Sequence, residues 1–124
     1  LTDMAWHTLT EPFEGDVEQF EAVSMAPTQV LPVVPGTAMA PAFGHIFSGG
    51  YAAGYYGYKW AEVLEADAFS LFKEKGIFNR EAASSFRENV LAKGGTEHPM
   101  ELYVRFRGHK PETRALIEKM GLGK

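Results

Sequence analysis

The stretch YAAGYYGYKWAEVLEADAFSLFKEK, residues 51–75, decides the fold prediction because it is the longest regular pattern in the chain. At about 100° per residue, its larger apolar side chains gather on one side of a helical wheel, at the spacing of a buried helix face. We therefore predict a helix from Tyr51 to Lys75, with Gly76 just past its end. The predicted core side consists of Tyr56, Trp60, Val63, Leu64 and Leu71.

The opposite side of this wheel carries three phenols in register, Tyr51, Tyr55 and Tyr58, together with Glu62. Two glycines interrupt it, and glycine within a helix costs roughly 0.5–1 kcal/mol relative to alanine. Phenol hydroxyls are neutral donors at pH 7, suited to a peptide carbonyl or an oxyanion. Two interpretations stay open at this point. The tyrosines either bind a ligand or pack with their hydroxyls at the surface.

Asp67 lies in the middle of the apolar side of the predicted helix. A buried carboxylate needs a partner, so we expect an arginine side chain or a helix N-terminus to reach it. This interpretation is structural and assigns Asp67 no role in chemistry.

The flanking segments complete a mostly α prediction. Helices are expected in 1–25, with Asp16 as an N-cap, before an extended, Pro-rich and Gly-rich segment over 26–50. A short strand is expected at 45–47 within that segment. From 51 to 124 the chain is expected to form a helical bundle, in which Asn79 caps a helix running to about residue 92. Further helices are expected at about 98–107 and 111–120.

Composition excludes several classes of protein. The 124 residues suffice for one domain, and the net charge of −4 disfavours a nucleic-acid binder that stacks bases on the tyrosines. Without cysteine there is neither a disulfide framework nor a thiolate site. No apolar run approaches the roughly 20 residues of a membrane span, so we expect no membrane association.

The candidate chemistry is incomplete in this chain. Its four histidines, at 7, 45, 98 and 109, are too scattered for an i, i+4 metal pair, and no H-E-x-x-H motif occurs. No Ser/His/Asp arrangement is supported either. His45 is the histidine of most interest because it precedes Tyr51 by six residues, across a Gly-Gly turn.

The segment Phe43–Leu64 resembles the H-x-x-x-G-G-Y-x-A-x-Y-Y-x-Y-x-W segment of M3 zinc peptidases, the thimet oligopeptidase family. It is most similar to the bacterial oligopeptidase A and peptidyl-dipeptidase Dcp branch. Segments 66–69, 76–81, 94–97 and 105–111 agree as well, so the resemblance covers essentially the whole chain.

The resemblance implies a mostly helical C-terminal fragment of a peptidase catalytic domain. In this family two histidines of H-E-x-x-H and a later glutamate hold zinc, and all of these are expected before Leu1. Tyr58 would stabilise the oxyanion of the transition state. The expected substrate-binding residues are His45, Gly49, Gly50, Tyr51 and Tyr55.

The same resemblance implies a protein that hydrolyses short peptides with zinc in the complete parent. The expected partners are a short peptide and the missing N-terminal part of the same protein, without nucleic acid. We expect the fragment alone to bind no metal and to be inactive, and the parent to be cytoplasmic. The alternative function is a non-catalytic helical module that binds peptides or other partners.

Overall fold

The computed structural model describes residues 1–123, and these form helices, turns and loops with no β-strand among them. The mostly α prediction is therefore confirmed. The chain divides into two compact units, the first from Leu1 to Gly57 and the second from Tyr58 onward. The helices are α1 (Thr2–His7), α2 (Val17–Met25), α3 (Gly44–Phe47), α4 (Gly57–Lys75), α5 (Arg80–Phe86), α6 (Pro99–Arg107) and α7 (Arg114–Lys119).

The first unit packs its short helices around Trp6 of α1. The Trp6 ring lies 4.2 Å from Phe20 of α2, 5.0 Å from Phe13 and 6.0 Å from Phe47 of α3, centroid to centroid. Aromatic pairs at these distances contribute beyond the area they bury. This cluster joins α1, α2 and α3, although none of them is long enough to be stable alone.

Helix α2 also holds the Pro-rich connection that follows it. Asp16 caps α2 as predicted, with its Oδ1 accepting the Gln19 N–H at 2.9 Å. Glu18 accepts the backbone N–H of Gly36 at 3.1 Å. Glu21 accepts the N–H groups of Met39 at 2.7 Å and Ala40 at 2.5 Å. The connection is thus anchored by carboxylates, and its two short 3₁₀ turns are Ala26–Thr28 and Ala40–Ala42.

The strand predicted at 45–47 is wrong, because these residues form the single helical turn α3. The Ile46 N–H donates to the Phe43 carbonyl at 3.3 Å, and the Ser48 N–H donates to Gly44 at 2.8 Å. Ile46 is only 1% exposed. One helical turn buries this isoleucine as well as a strand would, and a three-residue apolar run does not distinguish the two.

The second unit is built around α4, α5 and α6. Its core joins Leu71 of α4, Ala82 of α5 and Phe106 of α6. Helix α5 continues into a π-helical turn, Arg87–Leu91, in which the Ala92 N–H donates to the Arg87 carbonyl at 2.8 Å. Four further side chains pack against this core: Ala68, Phe72, Phe86 and Val90.

Three predictions about helix limits and faces need correction. Helix α4 begins at Gly57 rather than Tyr51, so Tyr51 and Tyr55 do not share a helix with Tyr58. Val63 and Leu71 are buried as predicted, whereas Tyr56 (67% exposed) and Trp60 (44%) are not core residues. The helix expected from residue 111 begins at Arg114.

The expectation for Asp67 is confirmed in its main point, since an arginine reaches this buried carboxylate. The Arg107 Nε lies 3.8 Å from Asp67 Oδ2 and donates to the Asp67 backbone carbonyl at 3.1 Å. A partner not foreseen is Tyr103, whose hydroxyl donates to Asp67 Oδ2 at 2.5 Å. Burial, and then this hydrogen bond, raise the pKa of Tyr103 well above its ordinary value, so the phenol stays a donor.

Asn79 caps α5 as predicted, its Oδ1 accepting the Ala82 N–H at 2.9 Å. We expect Asn79→Ala to lower the free energy of unfolding by about 1 kcal/mol, because one terminal N–H of the helix loses its acceptor. Urea unfolding followed by circular dichroism measures the change. Arg80→Ala, at the next and exposed position, is the matched control. Equal losses from both substitutions would contradict the capping role.

Candidate functional site

The first unit groups three of the sequence-predicted site residues, His45, Tyr51 and Tyr55. The His45 ring lies 5.9 Å from each of the two phenol rings, centroid to centroid. Phe43 packs edge-on against Tyr55 at 4.8 Å. The side chains of His45, Tyr51 and Tyr55 are all exposed, so they form an aromatic surface patch. We call His45, Tyr51 and Tyr55 the aromatic patch.

The backbone geometry explains why glycine occupies the two positions just before Tyr51. A Cβ on Gly49 would lie 2.9 Å from the His45 Cα and 3.0 Å from its carbonyl oxygen, closer than packed atoms approach. Gly50 has φ of +80°, a conformation that suits glycine. The Tyr51 N–H then donates to the His45 carbonyl at 3.1 Å. This tight reversal holds Tyr51 against His45 and accounts for Gly49 and Gly50 through backbone geometry.

Residues 51–57 form consecutive turns instead of the predicted helical start. The Gly54 N–H donates to the Tyr51 carbonyl at 2.8 Å, and the Gly57 N–H donates to Gly54 at 3.0 Å. Ala53 is in the left-handed region with φ of +53°, which a non-glycine residue seldom adopts. We call residues 51–57 the tyrosine loop.

Asp3 of α1 binds the tyrosine loop through both oxygens of its carboxylate. Its Oδ1 accepts the Ala53 N–H at 2.8 Å, and its Oδ2 accepts the Tyr55 N–H at 2.9 Å. His7, one turn farther along α1, places its Nδ1 2.8 Å from the same Oδ1. Asp3 is buried, so these contacts satisfy a carboxylate that has little access to water.

The surroundings of Asp3 lower its pKa below the ordinary value of 3.8. Burial alone would raise this pKa, but the backbone N–H groups of Tyr55 and Ala53, with His7, outweigh burial because they stabilise the charged form.

A pH dependence follows from the lowered pKa of Asp3. A carboxyl whose pKa is lower in the folded state stabilises the fold above its unfolded pKa, and this contribution is lost as pH falls through the folded pKa. We expect the first unit to lose stability as the pH falls below about 3.8. Tryptophan fluorescence in a Trp60→Phe background, where Trp6 is the remaining tryptophan, measures the loss during urea unfolding at a series of pH values. Asp3→Asn should be less stable at pH 6 and should flatten the acid dependence, and a slope equal to that of the unsubstituted chain would contradict the assignment.

Tyr58, the predicted oxyanion donor, is the second residue of α4 and opens the second unit. Its side chain is 46% exposed. The next residue of α4, Lys59, donates from its Nζ to Glu62 Oε2 at 2.8 Å, an exposed pair with a small effect on stability. Tyr58 is therefore held on a regular helix, unlike the two tyrosines of the aromatic patch.

No group of three or more His, Cys, Asp or Glu side chains within residues 1–123 is placed to hold a metal ion. The two histidines of the second unit, His98 and His109, bond locally. His98 accepts the Met100 N–H at its Nδ1, 3.2 Å away. The His109 Nδ1 lies 2.7 Å from the Lys110 carbonyl. No helix in this described part of the chain is both long and apolar enough to cross a membrane.

Sequence reasoning missed Asp3 as a residue of this site. Its partners are backbone N–H groups about fifty positions away. Backbone groups do not depend on residue type, so the sequence does not reveal which of them Asp3 binds. The available signal is weak. Asp3 stands in a short segment with apolar neighbours, where a buried carboxylate requires donors.

Comparison with known proteins agrees with the resemblance seen in the sequence. The sequence profile described as peptidase family M3 matches residues 1–122. Oligopeptidase A of Escherichia coli is 60% identical over 81 residues, which cover 65% of this chain and 12% of that protein. The dipeptidyl carboxypeptidase of Salmonella typhimurium is 40% identical over 124 residues, 98% of this chain and 18% of that protein.

A plant relative extends the comparison. The probable cytosolic oligopeptidase A of Arabidopsis thaliana is 48% identical over 126 residues, 97% of this chain and 18% of that protein. The chain thus spans less than a fifth of the length of the relatives it matches.

Proposed function

This chain belongs to peptidase family M3, and from that premise we propose that it supplies the peptide-contacting part of an enzyme that hydrolyses short peptides. The proposal concerns the complete protein that contains these residues. The names of the relatives, oligopeptidase A and dipeptidyl carboxypeptidase, support a short peptide as the substrate.

The observation that carries this proposal is the aromatic patch. The His45 ring lies 5.9 Å from the rings of Tyr51 and Tyr55, and all three side chains are exposed. Phenol and imidazole groups can donate to peptide carbonyls and accept from peptide N–H groups. We infer that they bind the backbone of the substrate. The loop at Gly49 and Gly50 contributes by setting the reversal that brings Tyr51 beside His45.

Tyr58 has a different proposed role, that of hydrogen-bond donor to the oxyanion that forms when the peptide carbonyl is attacked. A neutral phenol on a helix is a pre-positioned donor, and such donors act mainly on the transition state. Its location on α4 supports this role because a helix holds a side chain with less freedom than a loop does.

The family implies zinc, and the described residues do not fit that metal, because no three ligating side chains converge among them. We therefore assign no zinc ligand and no metal-dependent step to residues 1–123. The remainder of the protein is the proposed partner that completes the site. A cytoplasmic location is proposed from the cytosolic relative and from the absence of cysteine in the sequence.

The test is cleavage of a quenched short peptide by the complete protein and by the 124-residue chain alone. We expect the complete protein to cleave the peptide, to lose activity on metal chelation and to recover it with added zinc. The chain alone should not cleave it. Peptide binding without turnover by the complete protein would favour a non-catalytic peptide-binding module instead. Zinc-dependent turnover by the chain alone would contradict the division of roles proposed above.

A further inference from the structure

We propose that Asp3 is a positioning residue, whose carboxylate holds the tyrosine loop in the conformation that presents Tyr51 and Tyr55 to the peptide. This inference rests on the proposed function, because the loop has a substrate to meet only in a peptidase or peptide binder. Nothing in the resemblance assigns Asp3 a role.

The Asp3 carboxylate binds the backbone of the tyrosine loop at two points. The two carboxylate oxygens of Asp3 accept separate N–H groups, those of Ala53 and Tyr55, at 2.8 and 2.9 Å. These donors flank Gly54 within the tyrosine loop. Two charge-assisted bonds from one side chain restrain the loop far more than a single neutral bond would.

The conformation of Ala53 indicates that the loop needs such a restraint. Ala53 has φ of +53°, and left-handed backbone in a non-glycine residue persists only where its surroundings over-determine it. The Ala53 N–H is one of the two groups that Asp3 binds. Without the carboxylate, helical or extended conformations of Ala53 become accessible, and both redirect the Tyr55 side chain.

Asp3 is itself held in place. It lies in the short helix α1 and is buried, and His7 contacts its Oδ1 at 2.8 Å. Trp6, on the same helix, packs among Phe13, Phe20 and Phe47. The aromatic core of the first unit therefore fixes α1, α1 fixes Asp3, and Asp3 fixes the tyrosine loop.

The test is Asp3→Asn in the complete protein. An amide can accept one N–H but presents its own NH₂ group to the other, so one of the two loop bonds is lost. We expect the KM for a short peptide to rise roughly tenfold with kcat changed less than about twofold, as for a lost binding contact. Hydrogen exchange at residues 51–57 should become faster.

The chain offers a matched control in Glu21, a second carboxylate of the first unit that accepts two backbone N–H groups. Its donors, Met39 and Ala40, lie in the Pro-rich connection and not in the tyrosine loop. Glu21→Gln should leave the peptide KM and the exchange of residues 51–57 unchanged. A comparable rise in KM in this variant would overturn the proposal, because it would reduce Asp3 to one of several residues that maintain the unit.

Combining Asp3→Asn with phenylalanine at both Tyr51 and Tyr55 separates positioning from general stability. If Asp3 acts through the phenols, Asp3→Asn should have a much smaller effect on KM when Tyr51 and Tyr55 are already phenylalanine. Additive effects would overturn the proposal. Should Asp3→Asn fail to fold, Asp3→Glu keeps the charge while displacing it by one methylene, and an unchanged KM in that variant would count equally against the proposal.

Failure of this inference is distinguishable from failure of the proposed function. If the unsubstituted complete protein neither cleaves nor binds short peptides, both the proposed function and the positioning role of Asp3 are overturned. If that protein is active but Asp3→Asn leaves the peptide KM unchanged, only the positioning role is overturned, even where hydrogen exchange in the loop is faster.

Discussion

Replacing Tyr58 by phenylalanine in the complete protein is expected to lower kcat for a short peptide by roughly 100- to 1,000-fold, with KM little changed. The substitution removes one hydroxyl and keeps the ring. If that hydroxyl donates to the developing oxyanion, its loss affects the transition state and not the bound ground state. Steady-state kinetics on a quenched peptide measure both constants.

Tyr56→Phe is the matched control for this prediction. It removes the same hydroxyl two positions earlier, from a side chain that is 67% exposed and has no proposed role. We expect its kcat and KM to stay close to those of the unsubstituted protein. A similar fall in kcat for both variants, or a change in KM alone for Tyr58→Phe, would contradict the role of oxyanion donor.

Arg107→Met is expected to lower the free energy of unfolding by about 3–5 kcal/mol, since it leaves a buried carboxylate without its cation. Asp67 is 3% exposed. Beyond the ion pair with Asp67, Arg107 donates to the Ser70 hydroxyl at 2.9 Å and to Glu74 Oε1 at 3.2 Å. Methionine retains much of the apolar stem of arginine, so the loss of stability is due to the missing charge and its hydrogen bonds. Urea unfolding of the chain at pH 7, followed at 222 nm, gives the difference.

Arg105→Met tests the same chemical change two residues earlier on α6. Arg105 pairs with Glu97 at 2.8 Å, and both side chains are substantially exposed to solvent. Exposed ion pairs contribute little to stability because water and salt screen them, so this variant should be nearly as stable as the unsubstituted chain. Equal losses from the two substitutions would show that the buried position of Asp67 does not determine the effect.

The features that sequence reasoning predicted correctly are those set by local chemistry. Asp16 and Asn79 cap helices because a short polar side chain and a following helical pattern suffice to specify a cap. The arginine partner of Asp67 follows from the cost of an unpaired buried charge. The helical class follows from periodicity over many residues.

The features that sequence reasoning missed depend on contacts between distant parts of the chain. The helical wheel continues back through Ala53 to Tyr51, but the Asp3 carboxylate captures the Ala53 and Tyr55 N–H groups and replaces helix with turns. The helical wheel placed Tyr51, Tyr55 and Tyr58 on one side because it assumed a continuous helix, and α4 in fact begins at Gly57. His45 and Tyr51 do come together, through the glycine reversal and not through helical spacing.

The π-helical turn at Arg87–Leu91 has a consequence for how related chains can differ in length. A π turn is an α-helix with one additional residue accommodated locally, so removing one residue there can restore ordinary helix geometry without opening a gap. Phe86 precedes the turn and Val90 lies within it, and both pack against the core of the second unit. A regular helix such as α4 has no additional residue to lose, and a deletion ahead of Leu71 would rotate that core side chain by about 100°. We therefore expect single-residue deletions to be tolerated better within 87–91 than within α4.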